Sequence, residues 1–110
     1  MHSRHRQGKL ICDLSVDPFR MHGFSVVCKH KEGRPQSQVR DIRITIATLS
    51  VRGDLVQENQ LGVFSLPLVP ANTLLYFDKA VDVRGNVVTL ECLTNFGDRE
   101  ICPLSNFQLY

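Results

Sequence analysis

Apolar and polar residues alternate along most of this chain. The apolar positions recur at every second residue in four segments: Leu10, Cys12, Leu14 and Val16; Phe24, Val26 and Cys28; Ile42, Ile44 and Ile46; Val88, Leu90 and Cys92. Successive side chains of a β-strand point to opposite faces, so this period gives each segment one apolar face. The pattern predicts an antiparallel all-β domain.

Glycine, proline and asparagine divide the alternating pattern into seven or eight short strands. The predicted strands are 9–16, 24–31, 39–51, 61–66, 74–77 and 80–83 (either separate or one kinked strand), 87–93, 99–102 and a short edge at 107–109. Turns are expected at 17–23, 32–37 and 52–59, with a short helical turn within 55–59 and a tight hairpin at 84–86. The apolar phase shifts after Ile46, which predicts a bulge. Strands at this spacing are typical of a single antiparallel β-sandwich or small β-barrel.

The composition fits one globular domain. The chain has 110 residues, of which 43% are hydrophobic and 22% charged, which is ordinary for a folded protein. We expect a flexible basic N-terminal arm at residues 1–8 and a single β domain at 9–110. The first residues lack the apolar stretch of a secretory signal, and no apolar run is long enough to span a membrane. With Met1 as the natural start, a cytoplasmic location follows as an expectation.

Charge is distributed unevenly along the sequence. Residues 1–43 contain nine basic and four acidic residues, a net charge of +5, whereas residues 44–110 contain four basic and seven acidic ones, a net charge of −3. A basic first half indicates either a solvated surface or an acidic or phosphate-bearing partner.

The four cysteines lie on the apolar faces of their predicted strands. If 9–16 and 24–31 form a hairpin, Cys12 faces Cys28; if 87–93 and 99–102 form another, Cys92 faces Cys102. Three interpretations remain open: buried core thiols, two cross-strand disulfides in an oxidising compartment, or a zinc site. Zinc is the least favoured, because close Cys-x-x-Cys pairs are missing.

The first of these hairpins also places like charges together. Its register sets Lys9 opposite Lys31 and Arg6 near Arg34. Opposed like charges destabilise a sheet unless solvent or an anion offsets them. The candidate anion- or partner-binding residues are therefore Arg4, Arg6, Lys9, Lys29, Lys31 and Arg34.

Catalytic signatures are missing from the sequence. There is no Gly-x-Ser-x-Gly elbow and no glycine-rich phosphate loop. No catalytic residue, metal ligand or cofactor is predicted.

One short segment carries a family resemblance. Residues 48–53 read Thr-Leu-Ser-Val-Arg-Gly and resemble the second half of the PilZ-domain signature, Asp/Asn-x-Ser-x-x-Gly, with Thr48 at the position of the acid or amide. The upstream Arg-x-x-x-Arg element of that family is missing. A PilZ resemblance implies a small β-barrel that binds cyclic di-GMP.

These observations favour a non-catalytic intracellular interaction module that binds a protein or an anionic partner. It would act through the basic surface or through an exposed strand edge, where a protein partner or a second copy adds a strand. The candidate edges are 61–66 and 104–109. The alternatives are a PilZ-like nucleotide sensor and a small enzyme or enzyme subunit.

Overall fold

The computed structural model describes residues 2–6, 9–13, 19–83 and 85–110. It contains eight strands, β1 (His2–Arg6), β2 (Lys9–Asp13), β3 (Phe19–Cys28), β4 (Val39–Leu49), β5 (Leu55–Ser65), β6 (Thr73–Val83), β7 (Val87–Asn95) and β8 (Ser105–Leu109), and one 3-10 turn, Pro35–Ser37. Strands make up about two thirds of the described residues, among which there is no α-helix. The prediction of an all-β fold is confirmed.

The strands form two antiparallel sheets. One has five strands in the order β1-β2-β7-β4-β5, and the other has three in the order β6-β3-β8. The inward faces of the two sheets bury a common core. In the part of the chain that is described, the sheets are not closed into a barrel. The architecture is therefore a sandwich of two open sheets.

The centre of the core is an aromatic cluster around Phe24. Its ring stacks on Phe77 of β6 at a centroid distance of 4.9 Å, and it meets the edges of Phe64 on β5 at 5.2 Å and Phe107 on β8 at 6.1 Å. Phe24 and Phe107 are almost fully buried. Large buried rings dominate core energetics, so this cluster couples the two sheets.

The predicted hairpin between residues 9–16 and 24–31 is wrong. β2 pairs with β1 and β7, whereas β3 pairs with β6 and β8 in the other sheet. Cys12 therefore lies opposite Val88, and Lys9 lies opposite Glu91. This pairing places opposite charges across the sheet, in place of the predicted Lys9–Lys31 contact.

The hairpin expected at residues 84–86 is also wrong. β6 and β7 follow one another in sequence but belong to different sheets. Gly85 is buried, and a β-carbon there would clash with the carbonyl of Ala47. The Asn86 side chain accepts a hydrogen bond from the Leu49 amide at 2.9 Å and donates one to the Leu49 carbonyl at 3.0 Å. Gly85 and Asn86 thus pack the connection between the two sheets against the end of β4.

Some of the other predicted strand boundaries are confirmed, and others are wrong. Residues 73–83 form one strand, which is one of the two predicted alternatives, and residues 105–109 form an edge strand. Residues 55–59 belong to β5 and not to a helical turn, residues 19–23 belong to β3, and 99–102 form no strand. Pairing irregularities at Ile44/Thr45 and Thr48/Leu49 flank the predicted bulge. Within the predicted arm, His2–Arg6 form β1, while residues 1, 7 and 8 lie outside the described residues.

Gly23 sits where two strands approach closely. A β-carbon at this position would overlap the carbonyl oxygen of Phe77 and the ring hydroxyl of Tyr76. We expect Gly23→Ala to destabilise the protein by about 2 kcal/mol or more, because the Phe77 obstacle is backbone and cannot rotate away. Urea unfolding measures the change.

Adding Tyr76→Phe to Gly23→Ala separates the two contacts. The second change removes only the hydroxyl, so it should restore a minor part of the lost stability. Full restoration would show that the backbone contact is unimportant.

Candidate functional site

The structure divides the predicted basic surface into separate parts. Lys9 lies on β2 of the five-stranded sheet, whereas Lys29, Lys31 and Arg34 follow β3 of the other sheet. The backbones of Arg4 and Arg6 belong to β1, and their side chains lie outside what the structure describes. That these six residues contact an anion stays a prediction. It was inferred from a hairpin between 9–16 and 24–31, and the described residues do not form that hairpin.

Arg34 and Lys31 form an ion-pair cluster with two acids from the segment after β7. Arg34 donates a bidentate pair of hydrogen bonds to Asp98, with the Nε–Oδ2 distance at 2.9 Å. Glu100 lies 3.4 Å from the Lys31 ammonium and 3.7 Å from the Arg34 guanidinium. Two cations are thus matched by two carboxylates. This arrangement favours a clamp between two loops over an open anion site.

The Arg34 hydrogen bonds also change the acidity of Asp98. Together with the Glu100 amide and the nearby positive charges, they lower the pKa of Asp98 from its ordinary 3.8 to about 2. Asp98 is therefore ionised at neutral pH.

A second charged group lies on the outer face of the five-stranded sheet. Glu91 of β7 lies between two cations, with its carboxylate 3.8 Å from Lys9 of β2 and 2.9 Å from Arg43 of β4. The Arg43 Nε is buried and has no hydrogen-bond acceptor. Of these three residues, only Lys9 was predicted from the sequence as a site residue. Glu91 and Arg43 lie far from Lys9 in sequence, and only the pairing of distant strands brings them beside it.

This charged row forms one wall of a cleft. Thr89 of β7, Thr45 of β4 and Gln60 of β5 form the next row, and Glu58 lies beyond them. The cleft has a volume of about 350 Å³, at the small end of the range for ligand sites. Its walls are mainly polar, and every wall residue lies on a regular strand of the sheet. Sequence reasoning missed the cleft, whose only sequence signal is a set of polar residues at outward-facing positions.

The two predicted pairs, Cys12 with Cys28 and Cys92 with Cys102, do not lie opposite each other in the structure. Cys12 and Cys28 are buried, and the Cys12 thiol donates a weak hydrogen bond to the Phe107 carbonyl at 3.9 Å. Cys28, Cys92 and Cys102 are thiols as well. Burial raises the pKa of Cys28 to about 11 and also raises that of Cys92. Of the three interpretations, buried core thiols describe Cys12 and Cys28 in this structure.

Both predicted edges lie at sheet edges. β5, which contains 61–65, ends the five-stranded sheet, and β8, within 104–109, ends the three-stranded one. Residues 55–60 of β5 are exposed on both faces.

The segment that resembles the PilZ signature is the end of β4 and its turn into β5. The Ser50 hydroxyl accepts hydrogen bonds from the amides of Arg52 and Asp54 at 3.3 and 3.1 Å. Gly53 has a φ of 88°, which glycine adopts without strain. These contacts account for the Ser-x-x-Gly pattern as a turn between strands.

No three potential metal-ligating side chains converge among the described residues. In the same part of the chain, no helix has the length and apolarity to cross a membrane.

Comparison of the chain with models of known protein families gives no match. Comparison with curated protein sequences gives none either.

The clamp predicts a pH dependence. Because the pKa of Asp98 is lower in the folded state, its contribution is complete above about pH 4, where the unfolded carboxyl is ionised, and is lost as pH falls toward 2. We expect wild type to exceed Asp98→Asn in stability at neutral pH, with the difference closing between pH 4 and pH 2. Urea unfolding of both proteins across this range tests it. A difference independent of pH would contradict the assignment.

The buried thiols predict slow modification. At about pH 8, Cys28 should react slowly with a thiol reagent, because burial hinders access and its raised pKa keeps the thiolate scarce. After unfolding without reductant, all four cysteines of the chain should react. Fewer than four would indicate a disulfide and contradict the structure.

Proposed function

We propose that this protein is a non-catalytic interaction module whose binding edge is β5, and that its partner there is a second copy of the chain. The observation that carries the proposal is an edge strand whose first six residues are exposed on both faces. An edge strand presents unpaired N–H and C=O groups, to which another strand can add.

β5 is the least protected edge of the sandwich. β1 and β8 have five residues each. β6 has eleven, but it carries Asp78, Lys79 and Asp82. β5 also has eleven residues, and its single charged residue is Glu58. Short length and charge are the usual means of preventing edge pairing. β5 is long and carries a single charge, so Glu58 and the bulges are the features that oppose pairing.

Exposed apolar side chains accompany the open edge. Leu55 and Val56 at the start of β5 are 58% and 67% exposed, and Val51 in the adjoining turn is fully exposed. Association would remove this apolar surface from water and so supply a driving force besides the backbone hydrogen bonds.

Two copies of β5 can pair without a charge conflict. Antiparallel pairing along the full length of Leu55–Ser65 places its two-fold axis at the central residue, Gln60. Glu58 then lies opposite Gly62 of the other copy, so no two carboxylates face each other directly. The two five-stranded sheets would become one continuous sheet.

A charge at the two-fold axis tests the proposal. Gln60→Lys brings two lysines opposite each other in the dimer but leaves a single exposed strand residue in the monomer. We expect wild type to show a concentration-dependent dimer by sedimentation equilibrium, and Gln60→Lys to weaken dimerisation at least about tenfold.

The matched control is Gln108→Lys, an exposed residue on the β8 edge. It adds the same charge to the same fold, and it should leave association unchanged. A wild-type protein that stays monomeric, or one whose dimer resists Gln60→Lys, overturns the proposal.

A further inference from the structure

We infer that the cleft on the outer face of the five-stranded sheet is a binding site for a neutral, hydroxyl-rich ligand such as a saccharide. The site lies within one copy of the chain, on β2, β7, β4 and β5. The inference therefore does not require dimerisation through the β5 edge.

The register of the strands builds the cleft in rows. Lys9, Glu91 and Arg43 lie side by side across three strands. Thr89, Thr45 and Gln60 form the next row across β7, β4 and β5. Irregular pairing between β4 and β5 on both sides of this region increases the local twist, which curves a sheet and makes one face concave.

Unused hydrogen-bonding capacity concentrates in this cleft. A guanidinium has five N–H donors, and among the described residues Arg43 uses only its Nη1, which bonds Glu91. Within the described part of the chain, no hydrogen bond or ion pair occupies the carboxylate of Glu58 or the amide of Gln60, and both line the cleft. The cleft thus offers donors on its β4 side and an acceptor on its β5 side.

The balance of charge selects the ligand class. Among the lining residues that the structure describes, Lys9 and Arg43 are cations and Glu58 and Glu91 are anions, so their charges balance. A phosphate or carboxylate would face two acids, and an amine would face two bases. A hydroxyl both donates and accepts a hydrogen bond. A neutral polyol can therefore form hydrogen bonds with the donors and the acceptors of the cleft at the same time.

Size and lining also limit the affinity. The volume of about 350 Å³ admits one or two sugar units. None of the described residues that line the cleft is aromatic, so hydrogen bonds would carry the binding with little apolar contact. We therefore expect dissociation constants in the millimolar range.

Amide chemical shifts of the isotope-labelled full chain test the inference. The probes are four neutral disaccharides (maltose, cellobiose, lactose and diacetylchitobiose) and inorganic phosphate. At least one disaccharide should shift the amides of Thr45, Gln60 and Thr89 in a saturable way, and phosphate should not.

Two variants then separate the cleft from general effects. Glu58→Gln replaces a charged acceptor with a neutral one and should weaken the disaccharide about tenfold, as expected for a hydrogen bond to a charged group. Gln108→Leu, an exposed residue on the other sheet, should leave it unchanged. Unshifted resonances elsewhere confirm that Glu58→Gln remains folded.

Three results overturn the inference. One is that no disaccharide shifts the cleft amides at millimolar concentration. Another is that phosphate alone shifts them, which would assign an anion site. The third is equal binding by wild type and Glu58→Gln. Self-association is read separately by sedimentation, so each proposal can fail while the other stands.

Discussion

The contact between Phe24 and the rings around it is the interaction on which the sandwich depends. Phe77 and Phe107 meet Phe24 within the three-stranded sheet, and Phe64 reaches it from β5. Phe64 lies near the end of β5, so this contact fixes that end of the strand to the core. The three-stranded sheet is narrower than its partner, and residues 55–60 are exposed on both faces. The open edge thus follows from where the aromatic cluster sits.

Charge pairing between distant segments explains much of the uneven charge of the sequence. The basic first half supplies Lys9, Arg43 and Arg34, while the acidic second half supplies Glu91 and Asp98. The two halves neutralise each other across β2, β7 and β4 and across the loop clamp. Exposed pairs of this kind contribute little to stability, but they favour the observed strand order over one with opposed lysines. An external anion is therefore not required to account for these cations.

The local pattern predicted most of the strands but not their partners. Ile42, Ile44 and Ile46 are buried as their two-residue period predicts, since alternation depends only on neighbouring residues. The Cys12–Cys28 pairing failed because it assumed that successive strands are neighbours, whereas β2 pairs with β7. The glycine and asparagine at 85–86 are typical of a hairpin but serve a crossing between sheets. Glu91 and Arg43 meet only through the long-range pairing of β7 with β4, so no local motif could identify the charged wall of the cleft.

Strand β5 links the two proposed binding surfaces. Its outer side chains Glu58 and Gln60 form a wall of the cleft, while its backbone forms the edge of the sheet. Self-pairing centred on Gln60 would bring two clefts side by side on one continuous face. Bulges increase the local twist of a strand, and the pairing of β4 with β5 shifts register at both ends of this stretch, so we infer that the bulges shape both the cleft and the edge. Under these two proposals, a partner that flattens β5 would reshape the cleft. By thermodynamic reciprocity, a ligand that holds the cleft curved would then change the affinity of the edge for that partner.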